Sequence, residues 1–315
     1  MGRTAALFPG QGSQFVGMGR DLADRWPGAR EVFETADEVL DGTLSAICWE
    51  GPEEELKLTA NTQPALLAHS IAAWRVLADG GVTVDAVAGH SLGEYSAAVA
   101  AGSLGLVDAL RTVRLRGRLM QEAVPVGRGA MAAVIGLGDD EVAACCTEAG
   151  AATGEVVVPA NFNAPSQVVI AGTVAGVERA GELCREAGAR RVIPLAVSAP
   201  FHSPLMAPAR EGLTPALEVL DFANPVVPLY RNVDASPVTE GGELREGLVR
   251  QVDSPVLWTQ TVERLLADGF DTFIEVGAGS VLSGLVRRVD RGARCMQAGT
   301  VEQVEAVIAG SGGGR

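Results

Sequence analysis

Residues 89–93 read Gly-His-Ser-Leu-Gly, set between the apolar run Val-Asp-Ala-Val-Ala-Gly (84–89) and a helix-competent stretch that begins at Ser91. A G-x-S-x-G segment in that context predicts a strand-to-helix turn in which bulk at either glycine would clash with the neighbouring strand and helix. Such a turn commits the chain to an α/β fold. It also places Ser91 Oγ at a helix N-terminus, where unpaired backbone N–H groups can stabilise a developing oxyanion. A glycine-rich turn with a merely capping serine would use the same residues.

The periodicities on either side agree with that commitment. Thr4–Phe8 reads as a short buried strand ending in the turn Pro-Gly-Gln-Gly-Ser-Gln, with helical patterns at 28–40 and 63–79. After the strand at 84–89, residues 107–124 form a long amphipathic helix carrying Arg111, Arg114, Arg116 and Arg118. The middle of the chain changes character: residues 126–196 read strand, helix, strand, strand, helix, strand, the order of a ferredoxin-like unit. Parallel-sheet material returns at 224–233, with helices at 242–252 and 256–268, a strand at 270–277 and a loose tail from Ala309. The predicted fold is α/β: a hydrolase-like parallel-sheet large domain formed by 1–125 and 197–315, with an inserted ferredoxin-like small domain at 126–196. A length of 315 residues, about twice the usual ~150-residue domain, suits two unequal domains.

Composition narrows the class of partner. With 39 acids against 25 bases the formal charge is −14, which argues against nucleic acid or an anionic membrane as the main partner. Five scattered cysteines without a C-x-x-C, and no histidine at ligand spacing, indicate neither a disulfide framework nor a metal site. The apolar run near the start stops at Pro9-Gly10, too short for a signal segment or a membrane span, so a cytoplasmic, reducing location is expected.

A nucleophilic serine needs a base, and the chain has only three histidines. His69 lies in a mostly apolar helix and reads as a packed, hydrogen-bonded core residue. His90 precedes the serine, so its side chain projects differently and suits a supporting place among the substrate-binding residues. His202 sits in Ser-Ala-Pro-Phe-His-Ser-Pro (198–204), a loop after the small domain that can deliver a side chain to the top of the sheet. It is the candidate base.

Eight collinear segments then carry a resemblance: FPGQGSQFVGMG, TQPALL, GHSLGEYSA, LRGRLMQEAVP, GAMAAVIGL, ANFNAPSQVVIAG, APFH and SPVLWTQTVE. Together they make nearly the whole chain similar to the malonyl-CoA:acyl carrier protein transacylases and the acyltransferase domains of polyketide synthases. The resemblance implies Ser91 as nucleophile, His202 as general base and then acid, and Gln251 as the residue whose backbone carbonyl accepts from the imidazole. It implies an oxyanion hole from the backbone N–H groups of Gln11 and Leu92. Arg116 would hold the free carboxylate of a malonyl group, a clamp that an esterase does not need. Gln63 and Asn161 resemble pocket-lining positions, and Phe201 could occupy the space that a methylmalonyl α-methyl would require.

The implied reaction is ping-pong transfer of malonyl from malonyl-CoA to the phosphopantetheine thiol of an acyl carrier protein, with no metal or cofactor of the chain's own. An acidic carrier would need locally concentrated arginines, for which Arg190-Arg191 and Arg287-Arg288-Arg291 are candidates. Three alternatives share parts of the pattern. A serine esterase or thioesterase would use the same turn, a patatin-like lipase would use a Ser-Asp dyad, and a silent carrier-binding partner would keep only the fold. Whether transfer serves fatty-acid or polyketide synthesis stays open at this level.

Overall fold

The computed structural model describes residues 2–197 and 199–312. Among the described residues ten strands form two sheets: β1 (Arg3–Phe8), β2 (Ala86–Gly89), β3 (Gly129–Ile135), β4 (Val157–Ala164), β5 (Gln167–Thr173), β6 (Arg191–Pro194), β7 (Leu229–Tyr230), β8 (Pro237–Val238), β9 (Phe270–Val276) and β10 (Arg294–Ala298). The larger sheet has the order β10-β9-β1-β2-β7-β8 and is parallel except for the edge pair β7–β8. The smaller is antiparallel in the order β4-β5-β3-β6, and its helices Asp139–Thr153 and Val174–Glu186 complete a βαββαβ unit.

The period of two along β1 explains why the large sheet is covered on both faces. Ala6 and Phe8 enter the core beneath the helices Thr59–Asp79 and Leu106–Glu122, whereas Ala5 and Leu7 pack with Trp258, Val262 and Phe273 on the other side. The small sheet also has two occupied faces. Val134, Val168 and Ile170 meet Val142, Cys146, Ala180 and Cys184 of its own helices. Met131, Val169 and Ala171 point the other way and join the core of the large sheet together with Phe201. Next to that contact, Val256 N donates to Ala160 O (2.9 Å) and Phe162 N donates to Val256 O (2.9 Å), so β4 is stitched to the chain ahead of the helix Trp258–Ala267.

Several elements depart from the sequence expectation. The helix expected at 63–79 starts at Thr59, because the Asn61 and Thr62 N–H groups bond to Leu58 O (2.7 and 2.8 Å) ahead of Pro64. Strand structure in 224–233 is confined to Leu229–Tyr230. Strand β10 and the helices Ala207–Glu218 and Val281–Val289 carry no signal that the reading used. Ala309 to Gly312 continue the last helix, Val301–Gly312, rather than starting a loose tail; 313–315 lie outside the described residues, as does Ser198 of the His202 loop.

One helix crossing fixes where Arg116 stands. A Cβ on Gly117 would lie 2.5 Å from Thr59 O and 2.8 Å from Ala60 Cα, so the helices Leu106–Glu122 and Thr59–Asp79 touch backbone to backbone there. Gly117→Ala is expected to lower stability by about 1–3 kcal/mol despite its better helix propensity, because the overpacked contact is with backbone that cannot rotate away. Urea denaturation would show it, and an unchanged midpoint would mean that the helices can separate at no cost.

Candidate active site

Backbones crowd together around Ser91. A Cβ on Gly89 would lie 1.9 Å from the Gly93 carbonyl carbon, one on Gly93 2.0 Å from Phe8 O, and one on Gly10 2.4 Å from His90 O. The turn that results gives Ser91 a φ of 51°, a left-handed conformation that costs a non-glycine residue about 1–3 kcal/mol. His202 is also left-handed, at φ 58°. Ser91 is followed directly by Leu92 and the helix Gly93–Ala100, so its hydroxyl stands at that helix's N-terminal end. The backbone N–H groups of Gln11 and Leu92 have no protein acceptor among the described residues.

Ser91 Oγ lies 2.7 Å from His202 Nε2, and His202 Nδ1 lies 2.9 Å from the Gln251 carbonyl oxygen. A carbonyl only accepts, so Nδ1 carries the proton and Nε2 is free to accept the serine O–H. The imidazole is buried. Desolvation first, and then the Arg116 guanidinium, push His202 down to about 3, against the opposing pull of the Gln251 carbonyl. The ring is therefore neutral across the physiological range.

Arg116 is only 1% exposed. Its Nη1 donates to Gln63 Oε1 (2.9 Å), and its Nη2 donates to Gln251 Oε1 (2.8 Å) and to Ser91 Oγ (3.1 Å). All three acceptors are neutral. None of the ion pairs among the described residues includes Arg116, although burial alone would favour giving a guanidinium a carboxylate partner. Glu94, fully buried, is linked to Arg116 by hydrogen bonds through Gln251, whose Nε2 donates to Glu94 Oε2 at 2.9 Å. Burial raises Glu94 to about 7, while Gln251, the Asn232 N–H, Arg231 and Arg116 pull it back.

A cavity of about 120 Å³ opens over these groups. Every residue that the sequence assigned to catalysis or the acyl pocket lines it except Gln251, whose carbonyl and side chain lie behind His202 and Arg116: Gln11, Gln63, His90, Ser91, Leu92, Arg116, Asn161, Phe201 and His202 are all present. His90 turns away from the serine, Nε2 reaching Asn163 Oδ1 (2.8 Å) with its ring against Trp258. Gln11 is tethered through Nε2 to Thr59 Oγ1 (3.3 Å). His69 is placed elsewhere, fully buried with Nε2 on Gly299 O (2.9 Å). The second wall comes from the small sheet and its exit, as Met131, Leu195 and Val197.

Sequence reasoning missed Glu94, Asn232 and the side-chain work of Gln251. Glu94 had a signal, a lone acid in an otherwise apolar helix; Asn232 had none. Of the two arginine clusters, Arg190 and Arg191 are exposed on and beside β6, while Arg288 is engaged with Gln167 Oε1 (2.5 Å) and Arg287 with Cys295 O (3.2 Å).

The fold and the strained serine turn define an α/β protein with a serine and a neutral histidine paired in a cavity that a buried arginine also lines. The acyl transferase domain family matches residues 6–307, and the chain belongs to it. It is 49% identical over 308 residues to the malonyl CoA-acyl carrier protein transacylase of Bacillus subtilis (strain 168), covering 98% of this chain and 97% of the relative. Identity to the protein of the same description from Escherichia coli (strain K12) is 50% over 290 residues, covering 92% and 93%. Among solved structures, an acyl carrier protein S-malonyltransferase from Vibrio cholerae superposes with a TM-score of 0.94 at 48% identity, covering 97% of this chain and 99% of that one. A malonyl-transacylase in complex with its type II PKS acyl-carrier protein gives 0.95 at 45%, covering 98% and 99%.

Because His202 is held so low, the rate at which a fluorophosphonate labels Ser91 is expected to stay level from about pH 8 to about pH 5 and to fall only as pH approaches the folded value. An acid limb centred near the ordinary histidine value of about 6.5 would show that the burial of the ring is not felt by the base.

Proposed function

We propose that the chain transfers malonyl groups from malonyl-CoA to the phosphopantetheine thiol of an acyl carrier protein through a Ser91 acyl-enzyme. The observation that carries this reading is Arg116: a buried guanidinium with only neutral acceptors, adjoining the serine hydroxyl inside the cavity. A malonyl carboxylate would supply the missing counter-charge, and a planar guanidinium binds it bidentately.

In the first half-reaction Ser91 Oγ attacks the thioester carbonyl carbon while His202 Nε2 takes the hydroxyl proton. The Gln11 and Leu92 N–H groups receive the oxyanion, the C–S bond breaks, and the proton passes from His202 to the CoA thiolate. In the second, His202 removes the proton of the carrier's thiol, the thiolate attacks the Ser91 ester, and the proton returns to Ser91 Oγ. The Gln251 carbonyl keeps Nδ1 protonated throughout, the role that an aspartate plays in a Ser-His-Asp triad. Gln63 holds Arg116, Asn161 and His90 line the acyl site, and Phe201 restricts branching at the α-carbon.

The chain needs no cofactor of its own on this reading, since CoA and the pantetheine arm are substrates. The division into 1–125 with 197–315 and an inserted 126–196 places the acyl site between the two parts. Exposed Arg190-Arg191 and Arg287-Arg288-Arg291 are the candidate contacts for an acidic carrier. A cytoplasmic location suits five free cysteines, and among the described residues no helix is long and apolar enough to cross a membrane.

Intact-mass measurement after mixing with malonyl-CoA should show one malonyl adduct that Ser91→Ala abolishes; no adduct on the unaltered protein would leave a silent carrier-binding partner. Arg116→Ala should lower kcat/KM for malonyl-CoA by about 100-fold or more, the equivalent of about 3 kcal/mol for a charge-assisted bidentate pair, and acetyl-CoA should lose much less. Equal losses for both thioesters would refute the clamp. Methylmalonyl-CoA should acylate Ser91 about 10- to 100-fold more slowly than malonyl-CoA; equal rates would remove Phe201 as the steric filter.

A further inference from the structure

Strand β2 pairs with β1 on one side and with β7 on the other, and its ladder to β7 is short: Val87 N donates to Pro228 O (3.0 Å), and the paired residues end at Ala88 and Tyr230. Two residues beyond β7 the ladder continues by other means. The Asn232 side chain donates from Nδ2 to Gly89 O (2.7 Å) and accepts at Oδ1 from Ser91 N (2.6 Å). In a parallel sheet those two bonds, to the carbonyl of one residue and the N–H two residues on, are made by the N–H and C=O of a single residue of the neighbouring strand. We propose that Asn232 is a positioning residue for acyl transfer, its side-chain amide standing in for the N–H and C=O of that ladder residue and holding the Ser91 turn in the geometry that delivers the hydroxyl to His202.

Three further features support a dedicated role. Asn232 is fully buried, and its own backbone is turned out of the ladder: its N–H donates to Glu94 Oε2 (3.0 Å), and its carbonyl accepts from Leu257 N (2.9 Å). Glu94 Oε2 also accepts from Gln251 Nε2, which donates to Ser91 O as well (2.9 Å each). The same clamp therefore grips the turn at Gly89 O, Ser91 N and Ser91 O, and connects it to the residue whose carbonyl orients His202. Asn232 also decides which donors face the cavity. With Ser91 N–H occupied by Oδ1, the N–H groups of Leu92 and Gln11 are the pair left for an oxyanion.

The inference rests on Ser91 being the nucleophile, so single-turnover acylation by malonyl-CoA is followed by intact mass in the unaltered protein and in two variants, with circular dichroism to confirm folding. Asn232→Ala is expected to lower the first-order acylation rate by about 30-fold or more while the half-saturating malonyl-CoA concentration stays within about threefold, since the hydroxyl is misplaced and the acyl pocket is not. Asn232→Asp supplies a second readout. Its ionised form puts an oxygen against Gly89 O, whereas its protonated form restores a donor there and keeps the acceptor for Ser91 N–H. Glu94 is the acid in contact with this position, and Arg231 and Arg116 are the cations nearest Glu94. Acylation by Asn232→Asp should therefore rise by about tenfold or more from about pH 8 to about pH 6, where the unaltered protein is level. The proposal is overturned by acylation in Asn232→Ala within about threefold of the unaltered rate, by a loss carried in half-saturation, or by an Asn232→Asp profile parallel to the unaltered one. If Asn232→Ala does not fold, the Asn232→Asp profile decides. Absence of any Ser91 adduct in the unaltered protein would instead strike the parent reading.

Discussion

Three stretches of backbone, at Gly10, Gly89 and Gly93, approach one another so closely that a methyl group at any of them would overlap main-chain atoms. This crowding is what the rest of the site hangs on. It forces the left-handed turn at Ser91, and it lays the Pro9-Gly10-Gln11 segment against the turn, with His90 N donating to Phe8 O (3.0 Å). Gln11 and Leu92, far apart in sequence, therefore meet at the same cavity, with N–H groups that have no protein acceptor among the described residues. The strain is sustained because the two central strands are clamped from both flanks, β1 through its ladder and β7 through Asn232.

The small sheet completes the site through packing rather than chemistry. Met131 and the segment after β6 cover the cavity opposite the serine, and the β4 stitch to Val256 keeps them in place. Apolar cover over Ser91, His202 and Arg116 removes water, and that removal gives the imidazole its neutrality and would strengthen the proposed hold of the guanidinium on a carboxylate.

What could be read in advance follows the range of the physics involved. The turn at 89–93, the βαββαβ order and the alternation of β1 rest on local sterics and on periodicities of two and 3.6, which a linear sequence displays. Arg116, Phe201 and Gln251 were placed through resemblance, because nothing in the local pattern distinguishes a buried arginine in an arginine-rich helix from a solvated one. Asn232 was invisible for a different reason: Gly89, Ser91 and Glu94, to which it bonds, lie 138 to 143 residues away, and a side-chain amide imitating a ladder residue leaves no periodic trace. Strand β8, two residues long, is too short to show a period.

The use of Gln251 where many serine enzymes use an acid follows from the neighbour it must tolerate. One residue holds His202 through its carbonyl and Arg116 through Oε1. A carboxylate side chain there would pair with the guanidinium, fill the role proposed for the malonyl group and leave the clamp closed. A neutral amide orders the arginine without discharging it. The consequence is electrostatic coupling between substrate and base: the uncompensated guanidinium helps to hold His202 at about 3, a weak base. A malonyl carboxylate docked on Arg116, as proposed, would offset that repulsion and strengthen the imidazole at the moment when the thioester is in place. An acyl group without a carboxylate would leave the repulsion standing, so on the proposed reading the same buried charge that binds the correct substrate would also withhold full basicity from the wrong one.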